Sequence, residues 1–364
     1  MNLIIKKEII MELLKKISGG IKKNTTQKEE IFSNVFIKII KDKIFCISTD
    51  NIIEIIAYDV VKNNNISIEL LIEFKKFFNI CKILKKNSNL EIISNKNQIE
   101  ITFENNKFII NKINGIFPIS PKENLENHFK IENIYLKKMF NKTIISIADN
   151  DSRIYLNGLL LKIKNNTLKL ISSDSYRISQ TSIKLENITK ETEIIIPKKT
   201  ILEYIQTFSD NDETNVYFSK KFIKFSTKKL TLISKLIESE YPNILETFKI
   251  EENNIIKINK NELKQAILNV KIICDEKNYK SLFLISNNNL TIIISNEHEQ
   301  AITNLKIENT NINMQISLNI KFLLDIIEII DSKEININFN DKNNPIIIKG
   351  SEFNETFAIM PFQI

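Results

Sequence analysis

The chain has 364 residues, of which 43% are hydrophobic, and it contains only 5 Gly and 6 Pro. This length and apolar content predict two or three domains with sizeable cores, and they argue against a disordered or linker-rich protein. With 51 basic and 44 acidic residues, the net charge is +7, which is compatible with a polyanionic partner but does not require one.

The few cysteines and histidines limit the chemistry of the chain. Cys46, Cys81 and Cys274 are far apart and lack metal-ligand spacing, so we expect reduced thiols in the cytoplasm. Only His128 and His298 are histidines, which argues against a histidine-rich metal site, and we expect no metal and no cofactor. Charged residues interrupt the apolar N-terminus, so no signal peptide is predicted, and no run approaches the roughly 18 apolar residues of a membrane span.

A strand followed by an amphipathic helix recurs along the chain. The three copies begin near residues 3, 129 and 255, and each is 126 residues from the next (129 − 3 and 255 − 129). A second helix is predicted in each copy, over Glu69–Leu84, Pro197–Phe208 and Asn319–Ile330, with Pro197 at the first helical position. The pattern predicts an α+β fold of three similar domains, 1–124, 125–250 and 251–364, each with two helices packed on antiparallel sheets.

Lysines are predicted on the outer face of five of the six helices. On the second helix, Leu70, Leu71 and Phe74 belong to the predicted buried face. The opposite face of that helix carries Lys75, Asn79, Lys82 and Lys86, and the third helix is predicted to expose Lys137, Lys138, Asn141 and Lys142. A single face of this kind is typical of any solvated helix. Recurrence at equivalent positions favours a positive wall that holds a phosphate backbone without reading base sequence.

Residues 150–178 form the most informative stretch. Leu159–Ile163 and Leu168–Ile171 are predicted as paired strands joined by a turn at Asn165 and Asn166. Because a hairpin brings its outer ends together, the residues at 153–156 and 173–178 should be neighbours. Two interpretations remain open: a hairpin with polar ends, or a peptide-docking pocket that is apolar in the middle and cationic at its rim.

No catalytic constellation is recognisable. The sequence has no Gly-rich phosphate loop, no GxSxG, no HExxH and no Cys-x-x-Cys motif. Asp50 in STDN and Asp174 in SSDS follow strands at equivalent positions of the first two copies. They indicate a repeated turn in which the Asp side chain accepts hydrogen bonds from backbone amides.

Several motifs in order resemble one family. The RIYLNG segment at 153–158, the strand pair, the SDSYRI segment at 173–178 and the chain end MPFQI are similar to the bacterial DNA polymerase III beta subunits, the replicative sliding clamps. The resemblance runs end to end and includes residues 35–50, 195–198, 234–236 and 241–242. It implies a DNA clamp fold in which two chains close head to tail into a six-domain ring.

The family resemblance also implies a function. The ring would encircle duplex DNA and tether the replicative polymerase and other partners through a hydrophobic peptide pocket, after a separate ATP-dependent clamp loader has placed it on DNA. Such a chain has no active site of its own and is an accessory subunit of a DNA-directed DNA polymerase holoenzyme. Tethering makes the polymerase processive because it stays at high effective concentration near the primer end.

The resemblance carries three sets of residues onto this chain. The partner pocket would comprise Arg153, Tyr155, Leu156, Ser173, Ser175, Tyr176, Arg177, Ile178, Pro242, Asn319, Phe322, Met360, Pro361, Phe362 and Ile364. Duplex DNA would be contacted by Asn24, Lys75, Asn150, Ile154 and Tyr155, to which charge alone adds Lys22, Lys23, Lys82 and Lys86. The dimer interface would join Phe108 and Ile110, on an edge strand, to Ile272 and Ile273; taken by themselves, these four residues could equally be ordinary core.

The chain departs from the family pattern at several positions. Ser175 and Tyr176 stand where Gly-His is usual, and Glu246 and Gln363 also differ, so these departures concern the specificity of the pocket rather than the fold. Two other functions remain open: a basic nucleic-acid-binding protein that forms no ring, and a hydrolase or transferase with an unrecognised site. A direct binder would hold linear duplex tightly with a steep salt dependence, whereas a clamp would slide off its ends.

Overall fold

A computed structural model of the chain describes residues 2–61, 67–95, 97–113, 115–120, 125, 127–185, 191–244, 254–274, 279–307, 312–339, 344–350 and 353–362. The predicted pocket residue Ile364 lies outside the described residues, as do the departures at Glu246 and Gln363.

The described residues form six α-helices and twenty-four strands. The strands are β1 (Asn2–Lys6), β2 (Asn34–Ile40), β3 (Lys43–Thr49), β4 (Ile53–Val60), β5 (Ile68–Glu73), β6 (Asn89–Ser94), β7 (Gln98–Phe103), β8 (Asn106–Asn111), β9 (Asn127–Glu132), β10 (Gly158–Lys164), β11 (Thr167–Ser173), β12 (Arg177–Lys184), β13 (Thr192–Pro197), β14 (Glu213–Phe218), β15 (Phe222–Ser226), β16 (Leu230–Lys235), β17 (Ile255–Asn259), β18 (Lys280–Ser286), β19 (Asn289–Ser295), β20 (Gln300–Lys306), β21 (Met314–Asn319), β22 (Glu334–Asn338), β23 (Ile346–Lys349) and β24 (Thr356–Ile359). The helices are α1 (Lys7–Ile17), α2 (Phe74–Ile83), α3 (Asn133–Ile144), α4 (Lys198–Thr207), α5 (Lys260–Lys271) and α6 (Ile320–Ile329).

The first of two compact units comprises residues 1–134 and 202–236. It contains a four-stranded sheet in the order β1-β6-β7-β8 and an eight-stranded sheet in the order β5-β2-β3-β4-β16-β15-β14-β9. The apolar stripe of α1 is buried at Ile10, Leu13, Leu14 and Ile17, as its helical spacing predicts. Helix α1 packs beside α2 and against β3 and β4, so its lysine-bearing side remains outside the core.

The second unit comprises residues 135–201 and 237–364 and repeats this plan. Its four-stranded sheet has the order β20-β19-β18-β21, and its eight-stranded sheet has the order β13-β10-β11-β12-β24-β23-β22-β17. Helices α5 and α6 pack together on its core. Each begins with an asparagine cap, because the side chains of Asn259 and Asn319 accept hydrogen bonds from backbone amides of the first helical turn.

The strand orders reveal three copies of one group of four strands. The groups are β5-β2-β3-β4, β13-β10-β11-β12 and β21-β18-β19-β20, and the outer strand of each leads directly into a helix, α2, α4 or α6. The prediction of a three-domain α+β fold with antiparallel sheets is therefore confirmed. In the first two groups the last strand pairs with a further strand, β4 with β16 and β12 with β24. In the third group β20 is a sheet edge, and β8 is also a sheet edge.

The repeated turn predicted from Asp50 and Asp174 is confirmed. Oδ1 of Asp50 accepts hydrogen bonds from the backbone N–H groups of Ile52 and Ile53, both at 2.9 Å. Oδ1 of Asp174 does the same for the amides two and three residues later, both at 3.0 Å. The third copy uses Asn296, which sequence comparison missed because an amide oxygen replaces the carboxylate.

Two predicted helix starts are wrong. The second helix begins at Phe74, not at Glu69, because residues 68–73 form β5. Leu70 and Leu71 are buried in that strand, and a short apolar run satisfies helical and strand spacing equally well. Pro197 is the last residue of β13, and α4 begins after it.

Candidate functional site

The predicted hairpin brings its outer ends together around a cavity. Strands β10 and β11 pair with Leu160 opposite Ile171, and the turn residues Asn165 and Asn166 have φ of 50° and 55°, a left-handed geometry that asparagine tolerates. The cavity has a volume of about 240 Å³. It is lined by Arg153, Tyr155, Leu156, Ser173, Ser175, Arg177, Ile178, Pro242, Ile244, Ala358 and Met360.

The floor of the cavity is apolar and already packed. Leu156 is 1% exposed, and Ile178 and Ala358 belong to a small buried cluster with Ile347, against which Ile244 packs. The strand pairing of β12 with β24 places Ile178 directly opposite Ala358. An apolar side chain that enters the cavity therefore meets preformed walls, as ligand pockets usually provide.

Arg153, at the rim, is held by a neighbouring carboxylate. Its Nε and Nη2 donate to the two carboxylate oxygens of Asp151, each at 3.0 Å, and its backbone N–H donates to the same carboxylate. Hydrogen bonds from the Arg153 guanidinium lower the pKa of Asp151 to about 2. The carboxylate is therefore ionised at neutral pH and balances the arginine charge.

Arg177 is held more firmly than Arg153. Its Nε donates to Asp174 at 2.9 Å and its Nη1 donates to Asp325 at 2.7 Å, while its guanidinium lies 4.2 Å from the ring centre of Phe322. Asp325 and Phe322 both belong to α6, so the second helix of the third copy positions this side chain.

Both arginines of the predicted cationic rim line the cavity, but carboxylates outside the lining pair with them. Asp151 pairs with Arg153, and Asp174 and Asp325 pair with Arg177, so the charge of both arginines is balanced within the chain. Sequence reasoning counted the arginines and missed their carboxylate partners. The pairing of Asp151 and Asp174 could have been predicted from sequence, because they precede their arginines by two and three residues.

The predicted pocket residues that are absent from the cavity lining surround it. Tyr176 is 63% exposed and its carbonyl accepts a hydrogen bond from the Met360 amide. Asn319 caps α6, Phe322 supports Arg177, and Phe362 pairs its backbone with Ser317. Pro361 lies between Met360 and Phe362 and is also outside the lining.

Two lining residues were missed by sequence reasoning. Ile244 follows the quoted Tyr-Pro pair by two residues. Ala358 precedes Met360 by two residues, so strand alternation was the signal that could have identified it.

Ser175 occupies a backbone conformation that suits glycine. Its φ is 77°, in the left-handed region, and its amide donates to the Ser173 hydroxyl at 3.0 Å. A serine at this position therefore has a conformational cost that the family's glycine avoids.

The lysine faces are less uniform than predicted. On α2, Lys75, Asn79 and Lys82 are exposed as expected, while Lys86 is exposed but lies beyond the helix end. The prediction of an exposed Lys142 is wrong: its side chain is 3% exposed and contacts Glu355 and Asp331. Several other helix lysines are also paired, including Lys198 with Asp149 and Lys264 with Glu328. Helix α2 is the clearest remaining basic face.

The remaining predicted DNA contacts are mostly exposed loop residues. Lys23 and Asn24 are exposed, whereas the Lys22 ammonium is 2.5 Å from the Glu29 carboxylate, which reduces its free charge. Ile154 is 53% exposed. Asn150 is exposed with φ of 57°, and Tyr155 is half-buried, with its ring edge-on to Tyr241.

The predicted interface residues lie at a sheet edge and at a helix end. Phe108 and Ile110 are on β8, the edge of the four-stranded sheet of the first unit, and are half-buried on its core side. The intervening Ile109 is 56% exposed. In the second unit Ile272, directly after α5, is 81% exposed and Ile273 is half-buried.

The described ranges contain neither a metal-binding cluster nor a membrane-spanning helix. Among these residues, no group of three or more His, Cys, Asp or Glu side chains is arranged to hold a metal ion. No helix in the described part of the chain has the length and apolarity needed to span a bilayer.

Comparison with known proteins matches three successive parts of the chain to one family. Family models of the DNA polymerase III beta subunit match residues 1–115 (N-terminal domain), 130–243 (central domain) and 247–363 (C-terminal domain). A beta sliding clamp of Buchnera aphidicola (subspecies Acyrthosiphon pisum) is 29% identical over 352 residues, which cover 96% of each chain.

Solved structures agree with the fold. A putative DNA polymerase III beta subunit from Eubacterium rectale has a TM-score of 0.92 at 25% identity and covers 100% of this chain and 99% of its own. A DNA polymerase sliding clamp from Pseudomonas aeruginosa has a TM-score of 0.95 at 21% identity and covers both chains fully. The chain belongs to the bacterial DNA polymerase III beta subunit family.

Proposed function

We propose that this chain is a sliding clamp that encircles duplex DNA and makes the replicative DNA polymerase processive. The observation that carries the proposal is that β8 and β20 are sheet edges, whereas the strands at equivalent positions of the repeat are paired, β4 with β16 and β12 with β24. An unpaired edge offers a row of backbone donors and acceptors to another strand. Because β8 and β20 differ in this way from their counterparts in the repeat, they suit head-to-tail association of identical chains.

The strand repeat supports one way for that association to close. In the first two groups the last strand, β4 or β12, pairs antiparallel with the end of another row of four, at β16 or β24. By the same rule β20 of one chain pairs with β8 of its partner and completes another eight-stranded sheet. The contact is heterologous, and in a dimer it occurs twice and closes a ring of six domains.

The side chains at these edges support the proposed interface. Phe108 and Ile110 on β8 pack against Ile272 and Ile273 of the partner, and the 81% exposure of Ile272 in the single chain is then relieved. The domain bounds of 1–124, 125–250 and 251–364 complete this plan.

DNA is held without sequence readout in this proposal. Lys75, Lys82 and Lys86 present a positive surface to the phosphate backbone, and the loop residues Lys22, Lys23 and Asn24 add to it. Asn150, Ile154 and Tyr155 contribute a second contact beside the pocket. Encirclement, rather than tight binding, keeps the ring on DNA.

The pocket serves as the tether for partners. Apolar side chains of a polymerase peptide enter the 240 Å³ cavity between Leu156, Ile178 and Met360. The chain is a non-catalytic accessory subunit of the polymerase holoenzyme, needs no cofactor, works in the cytoplasm and is placed on DNA by a separate clamp loader.

Native mass tests the ring. Light scattering after gel filtration should give twice the chain mass of 42.4 kDa, 84.8 kDa. Ile272→Lys should yield monomers because it buries a charge at the seam, whereas the control Ile255→Lys, at a 46% exposed isoleucine on β17, should remain dimeric.

A DNA experiment separates the clamp from a direct binder. After loading, the dimer should stay on closed circular duplex and leave it when the circle is cut. A monomeric chain that binds linear duplex tightly, with affinity falling steeply as salt rises, would instead identify a basic nucleic-acid-binding protein that forms no ring.

A further inference from the structure

A second groove adjoins the pocket on the outer face of the eight-stranded sheet of the second unit. It has a volume of about 550 Å³, and its lining includes Leu160, Lys162, Lys164, Lys169, Ile171 and Glu193. We refer to it as the lysine groove. Pro242 and Ile244 line both the groove and the pocket, so the segment 241–244 forms their common wall.

The groove changes character along its length. Leu160, 5% exposed, lies opposite Ile171 on the paired strand, and Ile171 packs against the same apolar cluster as Ile244. Lys162 and Lys164 lie two and four residues further along β10, towards the hairpin turn. At about 3.3 Å per strand residue, the groove passes from apolar to cationic over about 13 Å. A short extended peptide spans that distance.

The lining of the groove has more lysines than carboxylates. Lys162 and Lys169 lie directly opposite each other on β10 and β11, an arrangement in which like charges repel. Glu193 lies 2.6 Å from Lys162, whereas Lys169 faces Ser182 on its other side. Within the described part of the chain, Lys164 and Lys169 have no ion pair. Three lysines and one glutamate leave a charge of +2.

In the pocket beside the groove, by contrast, the basic side chains are paired within the chain. Each of its two arginines is already paired with aspartate, so a carboxylate on a bound peptide gains little attraction at the rim. The free positive charge of this face is displaced beyond segment 241–244, into the groove. A ligand with apolar side chains followed by acidic ones matches that order of surfaces.

We propose that the lysine groove binds an acidic segment that flanks the apolar anchor of the partner peptide. This inference rests on the proposed function, because the same peptide must first occupy the pocket. Each half-exposed ion pair contributes about two- to fivefold in affinity, so pairing with Lys164 and Lys169 should strengthen binding about tenfold at low salt.

Fluorescence anisotropy with synthetic peptides tests the proposal on the full chain. The probe is a fluorescein-labelled peptide with leucine and phenylalanine anchors, made without acidic residues, with four glutamates before the anchor, or with four glutamates after it. Because the groove lies on one side of segment 241–244, one glutamate peptide should bind about tenfold tighter than the anchor alone, and the other should gain little. Added salt should remove the gain.

Substitutions test whether the gain in affinity of the acidic peptide comes from the lysine groove. Lys164→Gln with Lys169→Gln should abolish it and leave the affinity for the plain anchor unchanged, since neither lysine lines the pocket. Lys333→Gln, at an exposed lysine outside the groove, should keep the full gain.

The remaining outcomes separate this proposal from the proposed function. Equal affinity for the plain and both acidic peptides would overturn the groove and leave the pocket standing. Failure of all three peptides to bind would overturn both. Binding of a labelled DNA oligonucleotide that depends on Lys164 and Lys169, without a gain for acidic peptides, would assign the lysines to nucleic acid and overturn the proposal.

Discussion

The buried ion cluster around Lys142 permits a quantitative prediction of stability. The Lys142 side chain is 3% exposed and contacts the carboxylate of Glu355, which is 1% exposed, while Oδ2 of Asp331 lies 2.9 Å from its ammonium. Burial lowers the pKa of Lys142, but the hydrogen bonds that its ammonium donates to Glu355 and Asp331 outweigh burial, and the net shift of the pKa is upward. The ammonium is therefore charged at neutral pH.

The two carboxylates respond differently when the cation is removed. Asp331 is 53% exposed, so water can replace the ammonium at a cost below about 1 kcal/mol. Glu355 is buried, and Lys142→Met leaves it without that cation. Removing one partner of a buried pair costs about 3–5 kcal/mol, so the variant should lose stability within that range.

Urea unfolding followed by circular dichroism measures this loss, at fixed protein concentration because the unfolding of the proposed dimer would depend on concentration. Lys85→Met is the control, since Lys85 is 80% exposed and 3.3 Å from Glu104; it should cost less than about 1 kcal/mol. Adding Glu355→Met to Lys142→Met should recover most of the loss. A single-variant loss no larger than that of the control would refute the assignment.

Four further predictions follow from the structure. Ser175→Gly should raise stability by about 0.5–1 kcal/mol in urea unfolding, because glycine adopts the φ of 77° without strain; a loss would contradict the strain. Burial raises the pKa of Glu54, so its contribution to stability is present below the ordinary value of 4.5 and is lost as pH rises through the folded-state pKa. Glu54→Gln should therefore gain stability relative to the parent chain as pH rises above 4.5, and a difference that stays flat with pH would count against this. Replacing Lys75 and Lys82 with Gln should reduce the salt dependence of duplex binding by about two counterions, and an unchanged slope would place the phosphates elsewhere. Met360→Ala should weaken anchor-peptide binding about tenfold in anisotropy, and unchanged affinity would remove Met360 from the pocket.

The sequence was most informative where local chemistry determines local structure. The hairpin of β10 and β11 follows from alternating apolar residues and from two asparagines that accept left-handed backbone. The turns at Asp50 and Asp174 follow from a short carboxylate side chain, which accepts hydrogen bonds from the backbone amides two and three residues later. Both predictions needed only neighbouring residues.

Features that depend on distant residues could not be predicted in this way. Arg177 pairs with Asp325, 148 residues away, and no local pattern links the two. The burial of Lys142 has the same origin, because Glu355 is 213 residues from it. The start of α2 was misplaced for another reason: β5 supplies an apolar run that fits both spacings.

The pocket has a consequence for fragment experiments. Leu156 and Ile178 come from the part of the chain that matches the central-domain model, whereas Ala358, Met360 and the Asp325 that holds Arg177 come from the part that matches the C-terminal model. An isolated central domain would lack Ala358 and Met360 from the pocket lining, and its Arg177 would lack one of its two carboxylate partners. Inhibitor screens and binding assays therefore require a chain that keeps both segments, and a ligand in the cavity acts as a bridge that ties them together.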